Sequence, residues 1–190
     1  MVKIDNIESN SIADELGIKP GDEIISINDK PVKDYIDFQY ETATSYFEID
    51  IKKQDNTVWK YEIEKNYGEK LGITFNKIIF DNLKTCNNNC IFCFVNQLPP
   101  GLRDSLQIKD DDYRFSFLQG SFITLTNLSE KEFQRIFDLK LSPLNISVHT
   151  TNPELRKKML QNSEAGKIMD KLYSLKKNGI KFKAQIVLCP

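Results

Sequence analysis

The chain of 190 residues has no apolar run near the roughly 20 residues that a membrane-spanning helix needs. A helical membrane span is excluded, and no membrane partner is expected. The opening residues, MVKIDNIESN, lack the basic-then-apolar order of a secretory leader, so the expected setting is cytoplasmic. An excess of charge is missing too: 26 Lys and Arg stand against 27 Asp and Glu, a formal net charge of -1. Without a global basic field, nucleic acid is not the expected partner, although a local basic patch stays open. Histidine occurs once, and repeats and low-complexity stretches are absent. What the chain does have is 40% hydrophobic and 11% aromatic residues, enough to build cores and to exclude disorder as the main state. Its length suits one to two domains.

Cysteine is sparse, with four residues, and in a reducing compartment these are poor candidates for structural disulfides. Their spacing is then the informative quantity. Cys86, Cys90 and Cys93 fall within eight residues, while Cys189 stands alone far downstream.

The first part of the chain carries short strand signals separated by turn chemistry. A strand is expected over 2–7. Ser11 can cap a helix over 12–16 that Gly17 stops, and Pro20-Gly21-Asp22 makes the next turn. A half-buried strand over 23–28 follows, then a helix from 35 to about 45 capped by Asp34, and a hairpin pairing 47–53 with 57–65. Ser11-Ile12-Ala13 followed by Leu16-Gly17-Ile18-Lys19-Pro20-Gly21-Asp22-Glu23-Ile24-Ile25-Ser26-Ile27-Asn28 resembles the PDZ domains of bacterial proteases. The resemblance implies a protein or peptide partner, added as an extended strand beside a loop whose backbone N–H groups take a terminal carboxylate. The one run similar to that loop, Leu71-Gly72-Ile73-Thr74-Phe75, comes after the matched segment. Two readings stay open: a circularly permuted PDZ whose groove is built by its last strand, or a linker strand. The PDZ-like domain is drawn over 1–75.

From 76 to 190 the pattern alternates strand and helix, the grammar of parallel α/β architecture. Strands are expected over 77–80, 121–126, 144–148 and 185–188. Helices are expected after Asn127 or Ser129, after Asn152-Pro153, and over 167–177. The acidic run Asp110-Asp111-Asp112 reads, on charge alone, as a solvated loop.

Cys86-Asn87-Asn88-Asn89-Cys90-Ile91-Phe92-Cys93 puts three thiols on one short loop. Structural zinc takes four ligands, so a zinc site would need Cys189 or His149 to complete it. A 4Fe-4S cluster held by three cysteines leaves one iron open to a substrate or cofactor. The spacing Cys-x3-Cys-x2-Cys, with Phe92 before the third cysteine, resembles the signature of the radical S-adenosylmethionine (SAM) enzymes. The wider run from Cys90 through Pro99-Pro100-Gly101, Lys109 to Leu118, and Phe122 to Leu128 is similar to a bacterial family that joins a PDZ-like domain, a radical SAM core and a C-terminal domain called DUF512.

That resemblance implies an α/β fold: an N-terminal PDZ-like β-rich domain, then the N-terminal part of a radical SAM (β/α) partial TIM barrel that the chain leaves incomplete. It implies a 4Fe-4S cluster on Cys86, Cys90 and Cys93. It also implies S-adenosylmethionine as cofactor, a reductant such as flavodoxin or ferredoxin, and reductive cleavage to a 5'-deoxyadenosyl radical. Ser147-Val148-His149 resembles the Ser-Leu-His run of radical RNA methyltransferases, and Asn152-Pro153-Glu154-Leu155-Arg156 looks like their next segment. Ser147 and His149 become cofactor candidates, with Phe92 and Phe94 as shields beside the cluster. Thr124, Thr126 and Asn127 stand where other members carry a Gly-Gly-Glu run, and Cys189, which matches no cluster position, is read as packing on the fourth strand. The resemblance gives the run Asp110-Asp111-Asp112 a second reading, a segment over the active site that meets substrate. The leading reading is a radical SAM enzyme of unknown substrate with a docking domain. Its rivals are a peptide-binding module with a structural cluster or zinc site and no turnover, and a radical SAM enzyme that modifies RNA.

Overall fold

The computed structural model describes residues 1–189, which form two compact units, Met1 to Asn82 and Leu83 onward. No helix among the described residues is long and apolar enough to cross a membrane.

The first unit is built from β1 (Val2–Lys3), β2 (Asn6–Ile7), α1 (Ile12–Glu15), β3 (Glu23–Ile27), β4 (Lys30–Pro31), α2 (Tyr35–Glu41), β5 (Tyr46–Lys52), β6 (Val58–Glu64) and β7 (Ile73–Thr74). Both helices start where the sequence places them: the Ser11 side chain accepts from Asp14 N–H, and the Asp34 side chain accepts from Asp37 N–H. Each such cap satisfies an orphan donor and is worth about 1 kcal/mol. An antiparallel sheet runs in the order β1-β3-β5-β6, with β4 beside β3. Along β5 every second residue, Phe47, Ile49 and Ile51, is fully buried, the period-two pattern of a sheet with one covered face. These side chains join Ile24, Ile27, Ile63 and Ile4 in one core.

Residues 71–75 belong to this core and are no linker. β7 pairs antiparallel with β2, Ala13 N–H donates to Leu71 O, and Leu71 and Ile73 are buried in the same cluster. Gly72 has φ +79°, and a Cβ there would meet Ser11 Cβ at 2.3 Å. Only glycine lets the two segments approach this closely.

The strand expected over 77–80 is absent. Ile79 makes a single bridge to Asp34, Phe80 N–H donates to Lys33 O, and the Phe80 ring lies 4.8 Å from Phe75. The apolar side chains of that run are used by the first unit, so they start no strand in the second.

The second unit comprises α3 (Tyr113–Gln119), β8 (Phe122–Ile123), α4 (Glu130–Asp138), β9 (Leu144–Ser147), α5 (Pro153–Leu160), α6 (Ile168–Lys177) and β10 (Phe182–Gln185). Its three strands are parallel in the order β10-β9-β8. Ser129 and Glu132 close a capping box on α4, and Asn152 caps α5 with Pro153 behind it. β10 begins three residues earlier than the expected 185–188. Its ladder ends at Gln185, whose carbonyl accepts from both Val148 and His149 N–H, because β9 turns away there with His149 at φ +64°. The acidic run is also corrected: Asp111 and Asp112 are buried, and Asp112 caps α3 while pairing with Arg114 at 2.7 Å.

Candidate functional site

The cysteine loop is held from two sides. Cys86 N–H donates to Lys109 O, and Asn89 and Ile91 N–H donate to Leu160 O and Met159 O at the end of α5. Those two carbonyls have no partner within the helix itself, so the loop satisfies the helix terminus while the helix fixes the loop. Cys90 and Phe92 pack on Met159, Leu160 and Ala165.

Beneath the loop lies a polar network centred on Asn88. Its Nδ2 donates toward Cys86 Sγ at 3.2 Å, Thr124 Oγ1 at 3.0 Å and Thr126 Oγ1 at 2.9 Å. Its Oδ1 accepts from Asn162 Nδ2 at 2.7 Å. Thr124 in turn donates through N–H and Oγ1 to the two oxygens of Asp111, each at 2.6 Å. Burial raises the Asp111 carboxyl, and the two Thr124 bonds oppose that rise.

The network joins Cys86 to Thr124 and Thr126, where the chain leaves β8. Asn127 is tied in by Nδ2 donating to Thr85 O, the residue before Cys86, while its Oδ1 is buried without a partner. Phe92 and His149 meet with ring centroids 4.5 Å apart, whereas Phe94, expected as a second shield, is 75% exposed. His149 Nδ1 accepts from Val187 N–H at 3.3 Å. Burial first, and then the Arg156 cation, bring its imidazole down to about 4, so it is neutral at pH 7. Ser147 points elsewhere: its Oγ lies 3.5 Å from Gln185 Oε1. Cys189 is exposed, with Sγ 3.9 Å from Val187 O.

The sequence reading singles out neither Asn88 nor Asn162, and it reaches Asp111 only through the acidic run. The asparagine run between the cysteines was the available signal, since amides there can bond strand ends without titrating. Arg156 was quoted only as part of a resembling segment. It is 1% exposed and binds four backbone carbonyls.

All three loop thiols are half-buried and free. Burial, and then neighbouring Cys86 and Cys93, push Cys90 up to about 11, so the three sulfurs sense one another. Among the described residues, no group of three or more His, Cys, Asp and Glu side chains is arranged to hold a metal ion.

A family model described as a radical SAM-like domain matches residues 65–190, a span that includes the cysteine loop and all three parallel strands. The chain belongs to the radical SAM-like domain family. A PDZ domain model matches residues 3–45. No curated protein matches the chain. For a radical SAM-like domain the implied groups are S-adenosylmethionine and an iron-sulfur cluster. The residues present fit them in chemistry: three soft thiol donors on one loop, and a buried orphan acceptor, Asn127 Oδ1, bonded beside the first of them.

In the unit matched by the PDZ model, a groove of about 380 Å³ runs between α2 and β7, with Tyr35, Phe38 and Gln39 on one wall and Leu71 and Ile73 on the other. Glu8 N–H donates to Gly72 O opposite the Ile7–Ile73 pair, so Ile73 is a non-hydrogen-bonded position whose N–H and C=O point away from β2. Lys65, 8% exposed, also lines the groove, and among the described residues its ammonium reaches only the Asn66 carbonyl, at 3.4 Å.

Proposed function

We propose that this chain is a radical SAM iron-sulfur protein that binds a 4Fe-4S cluster through Cys86, Cys90 and Cys93 and a molecule of S-adenosylmethionine beside it. The observation that carries the reading is the Asn88 network, which ties Cys86, on a loop of three half-buried thiols, to Thr124 and Thr126 past the end of a parallel strand, where α/β folds place their sites. The chemistry supplied by the bound groups is one-electron reductive cleavage of the sulfonium C–S bond. The chain's residues position and shield. Phe92, backed by neutral His149 and the Met159–Leu160 contact, screens one side of the loop from water. Asn127 Oδ1 offers an acceptor for the ammonium of S-adenosylmethionine, and Thr124 and Thr126 keep Asn88 aimed at Cys86. A flavodoxin or ferredoxin is the reductant this chemistry calls for.

The test is anaerobic reconstitution with iron and sulfide, followed by electron paramagnetic resonance of the reduced protein. A 4Fe-4S signal that changes on adding S-adenosylmethionine, and is lost in Cys86→Ala, Cys90→Ala and Cys93→Ala, is the expected result. Stoichiometric zinc with no cluster under any condition would overturn it.

A second activity, docking of a peptide C-terminus, is favoured by the outward-facing N–H and C=O of Ile73 and by the unpaired ammonium of Lys65 in the same groove. Fluorescence anisotropy should show a free-carboxylate peptide library binding more tightly than its amidated counterpart, with the gap reduced in Lys65→Met. Equal binding of the two libraries would sink this reading.

A further inference from the structure

We infer that Arg156 is the fixed buried counter-charge of the cysteine loop, a positioning residue that makes a cluster on Cys86, Cys90 and Cys93 easier to reduce. The inference rests on the cluster reading above and goes beyond it to a residue that no part of that reading uses.

The guanidinium is 1% exposed, and every hydrogen bond it makes is to a backbone carbonyl. Nε donates to Val148 O at 2.8 Å, one terminal nitrogen to Ala165 O at 2.6 Å, and the other to Ser147 O at 2.7 Å and Thr124 O at 3.0 Å. Carbonyl dipoles satisfy its donors and leave its net charge uncompensated. A buried cation normally requires an anion, because dipoles alone replace lost hydration poorly. Asp111, the carboxylate that attracts it, forms no hydrogen bond with it: both of its oxygens accept from Thr124.

Burial lowers Arg156 to about 10, and the attractions that oppose this come first from Cys90 and then from Asp111. The side chain therefore stays cationic at pH 7, and the sulfur that attracts it most strongly is that of Cys90, a neutral thiol when free and a thiolate when it holds a cluster. Geometry agrees. Its four acceptors lie just past β8, at the end of β9 and in the turn after α5, and that turn's Ala165 packs against Cys90. A second cation, Lys171, donates to Leu125 O on the same post-β8 turn.

Three thiolates outweigh the positive charge of an oxidised cluster core by one. Uptake of one electron from a flavodoxin- or ferredoxin-class donor adds another negative charge, with no bond made or broken in the protein. A nearby fixed cation stabilises the reduced form more than the oxidised form. A purely structural cross-link, by contrast, would leave the potential indifferent to charge at this position.

The experiment is a redox titration of the reconstituted full chain, followed by electron paramagnetic resonance, for native protein, Arg156→Gln and Arg156→Lys, with iron content and the Tm of the iron-free chain alongside. In Arg156→Gln the ratio of oxidised to reduced cluster at a fixed poise should rise at least tenfold, about 59 mV for one electron. Arg156→Lys should hold the native potential while its Tm falls, because an ammonium keeps the charge but cannot span four carbonyls. An unchanged potential in Arg156→Gln, or a tenfold change in Arg156→Lys, overturns the inference. Failure of both variants to fold or load iron also overturns it, since the side chain would then be a cross-link only. A native chain that takes up no cluster sinks the underlying site reading instead, and is told apart by its iron content.

Discussion

Among the described residues, the buried polar and charged side chains divide unevenly: Asp22, Asp34 and Lys65 lie in the unit from Met1 to Asn82, and eleven lie in the unit from Leu83 onward. In the first unit Asp22 and Asp34 serve local turns and caps, Asp22 accepting from Lys19 N–H and from Lys53 at 2.7 Å. Its core is otherwise isoleucine, valine, leucine, phenylalanine and one alanine, Ala13. In the second unit Asn88, Asp111, Thr124, Thr126 and Arg156 join segments that are far apart in sequence. An apolar core tolerates imprecise donors because it has none, whereas a polar core places donors accurately and loses stability if any one is left unpaired. The first arrangement suits a scaffold, the second a site.

The comparison predicts where damage should register. Phe47→Ala, at a fully buried position in the first core, should cost about 3–5 kcal/mol in a urea titration and leave iron retention by the cysteine loop unchanged. Parallel loss of iron in that variant would break the distinction. Asn88→Ala should cost less, about 1–3 kcal/mol, because it removes a buried hydrogen-bond partner from Thr124, Thr126 and Asn162, of which Thr126 and Asn162 keep Asn87. It should nevertheless speed iron loss to a chelator, which Phe47→Ala should not. A smaller loss of stability with a larger loss of iron is the signature of a site.

The same contrast explains what was legible in the sequence. Caps at Ser11, Asp34, Ser129 and Asn152 are local chemistry, and each appears where its residue pattern places it. The hairpin of β5 and β6 was legible from its alternation. The fate of 77–80 was not, because four apolar-rich residues are compatible with either unit and Asp34 and Phe75 decide it from a distance. Three adjacent aspartates looked solvated because charge patterning cannot anticipate the Thr124 and Arg114 groups that accompany two of them into the interior. The cysteines mark a candidate site by spacing alone. Asn88 and Arg156, which organise it, act through carbonyls and hydroxyls from remote segments and carry no spacing signal.

Titration gives the mildest test, because the one histidine of the chain belongs to the second unit. Burial, and then Arg156, hold His149 at about 4 in the folded chain, against an unfolded value of roughly 6.5. The folded state thus favours the neutral ring. Its Nδ1 accepts from Val187 N–H, and a proton there would set donor against donor. The stability that depends on this neutrality is fully present above about pH 6.5 and drains away as pH falls toward 4. Its slope approaches about 1.4 kcal/mol per pH unit. Asp112, held low by Arg114 against the effect of burial, loses its contribution only in more acidic solution, and Asp111, raised by burial, works in the opposite sense. Subtracting a His149→Gln profile from the native one isolates the imidazole, since the glutamine amide oxygen can accept a hydrogen bond without titrating. Urea titrations of the iron-free chain between pH 7 and pH 4.5 should show the native curve falling faster than the variant's. Parallel curves would mean that the ring is not held neutral by its surroundings, and the polar interior of the second unit would then be less tightly organised than its hydrogen bonds indicate.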